Sequence, residues 1–328
     1  MRRQPPKAQS LLGAYIELTK PNITFLILVS TALGFYLGAG NLDKLREFLL
    51  TLIGSGLVSS GAGALNHYAE KETDQLMNRT KSRPIPTGMV DEEMALVFGI
   101  SLILSGTLIL YSFINQFTAI LGLITALLYL FIYTPLKKLT WLNTSIGAIP
   151  GAIPPLGGWV AATGSLAPEA WILFAILFLW QHPHFYAIAF MCKEDYAKAN
   201  LEMLPVLESD GKRTNRQIIW HSLLLIPVSV VPSYIGILGI SYFWGALILS
   251  VAYFISGFPL VKNYSLENAK LLLKTSVIYL PALFAMIILD KIIYYEQRFI
   301  LVENYLYCFG RNQFGCGFSY SGTKARWY

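Results

Sequence analysis

Long apolar runs alternate with polar stretches along nearly the whole chain. A membrane helix needs roughly 20 mostly apolar residues, and about nine windows of the sequence meet that requirement. The pattern therefore predicts an all-α, polytopic membrane helix bundle of about nine transmembrane helices. The windows run near Ile23–Gly40, Phe48–Tyr68, Ala95–Phe113, Phe117–Tyr133, Leu142–Ala162, Trp171–Phe190, Ile218–Leu238, Tyr242–Phe258 and Thr275–Ile293.

The composition supports a membrane protein and argues against several soluble classes. Of the 328 residues, 55% are hydrophobic and 13% are charged, whereas soluble domains carry about 25% charged residues. A water-soluble fold of this size would lack the polar side chains needed to cover its surface, so we expect neither a cytosolic enzyme nor a nucleic-acid partner. The three cysteines, Cys192, Cys308 and Cys316, form neither a disulfide framework nor a zinc-site spacing.

The distribution of basic residues predicts the orientation of the bundle. Lys and Arg collect in cytoplasmic loops, and here they concentrate near the N-terminus and after the second, fourth, sixth and eighth windows. We expect these parts to be cytoplasmic. The first window starts after about 20 residues, too few for a transit peptide, which favours a bacterial inner membrane. We assign residues 1–21 to a cytoplasmic segment, 22–294 to a transmembrane domain and 295–328 to a C-terminal tail of unknown role.

Three oxygen-bearing side chains at a spacing of four lead from the end of the second window into the first polar loop, Ala69–Met94. Asn66, Glu70 and Asp74 share one helical face, and Mg²⁺ is typically held by one or two carboxylates together with substrate phosphates. Arg79 and Arg83 follow, and guanidinium groups match phosphate oxygens. This order predicts a magnesium–diphosphate site. The alternative is a solvated helix end whose charged residues pair among themselves.

A second set of polar residues follows later windows. Lys137 and Lys138 end the fourth window, either as diphosphate ligands or as ordinary interfacial anchors. The fifth window is rich in Gly and Pro, which favours either tight helix packing or a wall that leaves room for a large ligand.

The sixth window carries two histidines. His182 and His184 lie inside its apolar run, where ionisable residues are functional candidates, here for an iron or a substrate. The plainer interpretation is a hydrogen bond to a neighbouring helix. Asp195 follows in the second polar loop, Met191–Gln217, as a further carboxylate or as a solvated residue. We expect His221, a lone histidine, to be structural.

These motifs together resemble the UbiA superfamily of intramembrane prenyltransferases, and within it the branch that acts on haem. The resemblance covers about residues 15–290. It rests on Leu18-Thr19-Lys20-Pro21, Asn66…Glu70…Asp74, Arg79-Thr80…Arg83-Pro84, Tyr133-Thr134-Pro135-Leu136-Lys137, Leu142-Asn143-Thr144, Trp180-Gln181-His182-Pro183-His184-Phe185, Glu194-Asp195-Tyr196 and Met203-Leu204-Pro205-Val206.

Three positions depart from the superfamily pattern. His67 stands where much of the superfamily has Asp, and Glu70 replaces an Asp with a side chain one methylene longer. The second polar loop has Asp195 but no carboxylate four residues later. The resemblance therefore supports Asn66 and Asp74 as metal ligands more strongly than Asp195.

The resemblance implies transfer of farnesyl from farnesyl diphosphate to a vinyl group of haem b, giving haem O. Mg²⁺ would be held by Asn66, Glu70, Asp74 and Asp195, which we take as the catalytic residues. The diphosphate would meet Arg79, Arg83, Lys137 and Lys138, and haem would meet His182 or His184. Tyr68, Tyr133 and Phe185 are candidates for stabilising the allylic cation.

The implied partners are the lipid bilayer and haem A synthase or cytochrome oxidase assembly proteins. Three alternatives stay open on the sequence alone: prenylation of an aromatic quinone precursor, a multi-span transporter, and a structural cofactor-assembly subunit that binds haem without farnesyl diphosphate. The charged residues cluster at one membrane face instead of along a pathway, which disfavours transport.

Overall fold

The computed structural model describes residues 10–40 and 43–312, with side chains described as far as residue 293. Every regular element in this part of the chain is helical. In chain order the helices are α1 (Leu11–Leu18), α2 (Pro21–Ala39), α3 (Leu45–Ala69), α4 (Lys71–Leu76), α5 (Glu92–Phe113), α6 (Gln116–Leu127), α7 (Thr134–Leu136), α8 (Asn143–Thr163), α9 (Pro168–Met191), α10 (Lys193–Lys198), α11 (Leu204–Leu207), α12 (Lys212–Tyr234), α13 (Ile240–Lys262) and α14 (Leu266–Asn312), and a π-helical segment, Leu128–Tyr133, joins α6 to α7.

Eight helices of the described part are long and apolar enough to cross a membrane. The predicted all-α membrane bundle is therefore confirmed. The Gly/Pro-rich fifth window also forms a helix, α8, of 21 residues, which is not among these eight. Large apolar side chains such as Leu108, Phe131 and Ile248 are more than 60% exposed, as expected of a surface that faces lipid.

Helix α8 packs against several other helices of the bundle. It contacts α2, α6 and α9, and it continues without a break through Pro150, Pro154 and Pro155. A Cβ at Gly158 would lie 2.0 Å from the Thr31 carbonyl oxygen, and one at Gly34 would lie 1.9 Å from the Pro155 carbonyl oxygen. The structure therefore favours the tight-packing interpretation of these glycines, because only Gly permits so close a helix approach.

Helices α3 and α5 also approach each other closely at glycine residues, over a longer contact. Gly54 and Gly61 on α3 face Gly106 and Gly99 on α5. A Cβ at Gly61 would meet the Gly99 carbonyl oxygen at 2.5 Å, and one at Gly106 would meet the Gly54 carbonyl oxygen at 2.5 Å. Small residues spaced by seven thus bring the two backbones together along nearly two helical turns.

The last helix continues past the predicted membrane domain. Helix α14 ends at Asn312, so residues 295–312, which the sequence assigns to a tail, are helical and continuous with the candidate span Leu266–Ile293. Residues 313–328, including Cys316, lie outside the described residues. No role follows for either part, and the assignment of the three segments remains a prediction.

We expect Gly158→Ala to destabilise the protein, because the new methyl group would meet backbone atoms of α2 that no side-chain rotation can move. Overpacking of a close-packed contact costs about 1–3 kcal/mol, which a thermal unfolding midpoint in detergent would record. The matched control is Gly157→Ala, since a Cβ at Gly157 has nothing within 4 Å. Equal midpoints for the two variants would contradict this packing.

Candidate active site

Asn66 lies at the centre of a buried polar cluster at one end of the bundle. Its side chain is 0% exposed, and its Nδ2 donates to Thr134 Oγ1 at 3.1 Å. Its Oδ1 accepts a hydrogen bond from Lys20 Nζ. Thr134 in turn donates to the Tyr129 carbonyl oxygen at 2.8 Å. The end of α3 is thereby joined to the residue before α2 and to the π-helical segment.

Glu70 forms an ion pair with Lys137, at 2.6 Å between Oε1 and Nζ. Both side chains are less than 20% exposed. Burial alone would raise the pKa of Glu70, but Lys137 and Lys20 outweigh it and lower that pKa to about 2. Burial alone would lower the pKa of Lys137, yet Glu70 raises it well above its usual range. Each partner therefore keeps the other charged.

Asp74 pairs with Arg83 inside the first polar loop. The Arg83 Nη1 donates to both carboxylate oxygens, at 2.8 and 2.7 Å, and the Asp74 side chain is 0% exposed. Burial raises the pKa of Asp74 from its ordinary value, while Arg83 opposes the rise. The loop closes further because Thr80 Oγ1 donates to the Asp74 carbonyl oxygen at 3.1 Å.

The spacing of four is preserved although the helix breaks at Glu70, which lies between α3 and α4. The Glu70 amide donates to the Asn66 carbonyl oxygen, and the Asp74 amide donates to the Glu70 carbonyl oxygen. The alternative interpretation requires the charged residues of this helix end to pair among themselves, and they do not. Glu70 and Asp74 instead have partners outside α4, and Lys71 pairs with Glu92.

Lys20 is a member of this cluster that the sequence named only as part of a motif. Its backbone is in the left-handed region at φ 50°, a strained conformation for a residue with a Cβ. This geometry carries its Nζ to Asn66 and to within 3.4 Å of the Tyr129 hydroxyl. Burial lowers the pKa of Lys20 to about 7. The available signal was a basic residue directly before the proline that begins the first span.

The π-helical segment supplies two tyrosines to the cluster. Such segments are rare and occur often at functional sites. The rings of Tyr129 and Tyr133 lie 5.6 Å apart, and Lys137 Nζ lies 4.5 Å from the centre of the Tyr133 ring. Of the other aromatic candidates, the Tyr68 ring lies 4.8 Å from Lys71 Nζ, and Phe185, which is 40% exposed, contacts the His184 ring.

The remaining predicted residues of the loops lie at the edge of the cluster. Arg79 and Lys138 are exposed. The carboxylate of Asp195 accepts hydrogen bonds from the backbone amides of Asn78 and Arg79, at 3.2 and 3.1 Å. Among the described residues, no three His, Cys, Asp or Glu side chains are grouped so as to hold a metal ion. The magnesium site therefore stays a prediction.

The two predicted haem histidines point to different neighbours. His182 is 0% exposed, and its ring nitrogens contact the Phe178 carbonyl oxygen at 2.7 Å and Ser145 Oγ on α8 at 3.2 Å. His184 is partly buried, and its Nδ1 contacts Ser276 Oγ on α14 at 2.7 Å. The two rings thus lie on different faces of α9.

His221, expected to be structural, packs against one of the two predicted haem histidines. Its ring stacks on that of His182, with centroids 3.7 Å apart and planes 10° apart. Its own Nδ1 contacts the Gln217 carbonyl oxygen at 2.8 Å. The stack fixes the His182 ring between α8 and α12, and a lone histidine in the sequence gave no signal of it.

We expect Lys137→Met to destabilise the ligand-free protein, because Glu70 would keep its partly buried position without a counter-charge. The cost should be about 1–3 kcal/mol, between the values for exposed and fully buried pairs, measured as a fall in the thermal unfolding midpoint. Lys138→Met is the matched control, and an exposed substitution should change stability by no more than about 0.5 kcal/mol. An unchanged midpoint for Lys137→Met would show that the pair does not contribute.

Comparison with known proteins matches residues 27–279 to the UbiA prenyltransferase family. The chain is 47% identical over 287 residues to the protoheme IX farnesyltransferase of Solibacter usitatus, covering 84% of this chain and 98% of that protein. It is 41% identical over 298 residues to the protein of the same name from Koribacter versatilis, covering 88% and 96%.

Solved structures share the fold at low sequence identity. Digeranylgeranylglyceryl phosphate synthase gives a TM-score of 0.74 at 22% identity, covering 86% of this chain and 99% of that one. A UbiA homologue from Archaeoglobus fulgidus, bound to DMAPP and Mg²⁺, gives 0.61 at 18% identity, covering 83% and 98%. The resemblance identified from the polar motifs is confirmed, and the chain belongs to the UbiA prenyltransferase family.

Proposed function

We propose that this protein transfers the farnesyl group of farnesyl diphosphate to a vinyl group of haem b, with addition of water, to give haem O. The relatives that carry the name protoheme IX farnesyltransferase are similar over almost their full length. The observation that carries the proposal is the pair of ion pairs Glu70–Lys137 and Asp74–Arg83, set beside Asn66 at one end of an apolar bundle. Interfacial anchors are usually exposed, whereas these charges are largely buried and paired, which makes them functional candidates.

The cations of the cluster suit a diphosphate group. Lys137 and Arg83 approach from two different elements, and Lys20 comes from a third. Arg79 and Lys138, at the exposed edge, would receive the diphosphate as it enters. When the bond between C1 and the bridging oxygen breaks, these groups stabilise the negative charge that develops on the leaving group.

The donors also suit Mg²⁺, which prefers carboxylate and amide oxygens. The Asn66 amide oxygen and the carboxylates of Glu70 and Asp74 would hold it, and Glu70 is kept ionised by its low pKa. Bound there, Mg²⁺ would neutralise part of the diphosphate charge. The carboxylates would exchange their cationic partners for the metal, which frees Lys137 and Arg83 for phosphate oxygens.

The carbon chemistry is balanced by water. Loss of diphosphate leaves an allylic farnesyl cation, and the vinyl π electrons of haem b form the new carbon–carbon bond. A water molecule then adds to the carbocation that forms on the other vinyl carbon. Loss of one proton from this water gives the hydroxyl group of haem O. The Tyr129 and Tyr133 rings beside Lys137 offer aromatic faces to the allylic cation.

His184 is the haem contact that we favour. Its Nδ1 is already held by Ser276 Oγ, so Nε2 is oriented for the iron or a propionate, as is usual for a ligating imidazole. Both nitrogens of His182 have partners within the bundle. The different faces of the two rings support one histidine contact to haem.

Orientation and surroundings complete the proposal. The chain is a multi-pass membrane protein, and we propose that it lies in a bacterial inner membrane with both polar loops in the cytoplasm, following the distribution of Lys and Arg. Haem A synthase or oxidase assembly proteins remain proposed partners. The alternative acceptor, an aromatic quinone precursor, would be favoured by prenylation of that compound without haem-dependent product.

We expect purified protein with haem b, farnesyl diphosphate and Mg²⁺ to form haem O, detected by chromatography and mass. Asp74→Ala should lower turnover at least about a hundredfold, because it removes a metal ligand and leaves Arg83 without its partner. The control is Glu72→Ala, two residues away on α4 and exposed, which should keep near-normal turnover. Unchanged turnover in Asp74→Ala would refute the metal-site assignment.

We expect His184→Ala to weaken haem binding by about tenfold or more, since it removes the iron or propionate contact. Titration of haem b, followed by its Soret absorbance, measures the affinity. His182→Ala tests the other face of α9 and should retain haem affinity after correction for any loss of stability. If both variants bind haem like the parent protein, neither histidine is a haem contact.

A further inference from the structure

Asp195 joins the two polar loops across more than a hundred residues of sequence. Each of its carboxylate oxygens accepts a hydrogen bond from one of two consecutive backbone amides, those of Asn78 and Arg79, at 3.2 and 3.1 Å. Hydrogen bonds to an ionised acceptor are roughly twice as strong as neutral ones. Asp195 therefore fixes the backbone of the first polar loop at the point where its basic segment begins.

An apolar contact lies directly beside these hydrogen bonds. Met77, which precedes Asn78, is 4% exposed and packs among residues of α9 and the second polar loop. The buried members of this cluster are Met77, Ala189, Tyr196, Ala199, Leu201 and Met203. The Arg79 guanidinium lies 6.0 Å from the Tyr196 ring centre. The two loops thus meet through both a carboxylate and a small core.

The short segment from Met77 to Arg83 is tied together by its own backbone. The amides of Thr80 and Lys81 donate to the Met77 carbonyl oxygen, and the Arg83 amide donates to that of Thr80. Arg83 at the far end pairs with Asp74. A displacement at Asn78 and Arg79 would therefore reach Arg83, because consecutive turns leave little freedom between them.

Other features argue against Asp195 as a metal ligand in this chain. Both of its carboxylate oxygens already accept hydrogen bonds from the backbone amides of Asn78 and Arg79. The residue four positions later is Ala199, so the second polar loop lacks the paired carboxylate of a second acidic motif. Lys198 Nζ, on the same helix α10, lies 3.9 Å from Asp195 Oδ1.

We propose that Asp195 is a positioning residue, which anchors the Arg79–Arg83 segment on the second polar loop and thereby sets where its two guanidinium groups meet the diphosphate. The inference rests on the proposed function for the identity of the ligand, the diphosphate. The anchoring of the Arg79–Arg83 segment by Asp195 does not depend on that function. It replaces the role of metal ligand that the family resemblance implies for Asp195.

The variants are Asp195→Asn, Asp195→Glu and, as a matched control, Glu194→Gln at the neighbouring exposed carboxylate. We call the two hydrogen bonds from the Asn78 and Arg79 amides to Asp195 the clamp. Asparagine keeps one oxygen acceptor but turns an amide donor toward a backbone amide, which breaks the clamp without changing the size of the side chain. Hydrogen exchange by mass spectrometry over residues 77–83 reads the clamp directly in the full-length protein in detergent. We expect exchange at this segment to accelerate about tenfold or more in Asp195→Asn, with little change in Glu194→Gln.

Steady-state kinetics separate positioning from metal binding. In Asp195→Asn we expect KM for farnesyl diphosphate to rise about tenfold, while the Mg²⁺ concentration for half-maximal activity stays within about twofold of the parent value. Asp195→Glu, which restores the charge, should recover part of both the protection and the KM. Thermal unfolding midpoints identify any variant that has lost its fold. If Asp195→Asn has lost its fold, the test is made with Asp195→Glu.

Two results would overturn the inference. One is a large rise in the Mg²⁺ requirement of Asp195→Asn with exchange at residues 77–83 unchanged, which would make Asp195 a metal ligand. The other is no change in exchange and none in KM. If the parent protein forms no haem O, the proposed function fails, but loss of protection in Asp195→Asn would still establish the clamp.

Discussion

The pairing of buried charges at one end of an apolar bundle is the constraint on which the rest of the structure depends. Glu70 and Asp74 are held where water is scarce, and an isolated carboxylate there would lose several kcal/mol of hydration. Lys137 and Arg83 offset that loss, and Lys20 and Thr134 satisfy Asn66. The cluster can exist only if separate elements deliver their cations to the end of α3.

The close helix packing provides that delivery. The glycine contacts bring α8 against α2 and α5 against α3, and α2 begins directly after Lys20 while α3 ends beside Asn66. A glycine also lies where the chain before Lys20 meets α3, since a Cβ at Gly63 would lie 3.1 Å from the Leu18 carbonyl oxygen and 3.2 Å from that of Thr19. Packing in the membrane core and chemistry at its edge are therefore parts of one arrangement.

The ion pairs also account for how the ligand-free site remains stable. Each proposed metal ligand of the first polar loop has a protein partner, so the cluster is neutralised before any substrate arrives. A metal ion together with a diphosphate can replace both sets of partners at once, whereas either alone would leave buried charges uncompensated. The strained backbone at Lys20 and the π-helical segment belong to the same region, consistent with strain concentrated at functional sites.

The sequence by itself determined the class of fold and the membrane helices, and it proposed most members of the candidate site. These features can be read directly from the order of residues along the chain. They are the apolar runs long enough for a membrane helix, the small number of charged residues, and the spacing of Asn66, Glu70 and Asp74. Family membership followed from such motifs, and it was confirmed. The same local signals predicted nine spans, and the Gly/Pro-rich one forms α8, which is not among the eight candidate spans of the described residues.

Only the tertiary structure decided which charges meet. It paired Glu70 with Lys137 and Asp74 with Arg83, brought Lys20 to Asn66, and separated His182 from His184. It also directed Asp195 to backbone amides of the first polar loop. Apart from Asp74–Arg83, these contacts join residues far apart in the chain, because α2, α3, α8 and α9 pack together. The order of residues along one sequence does not contain those distances.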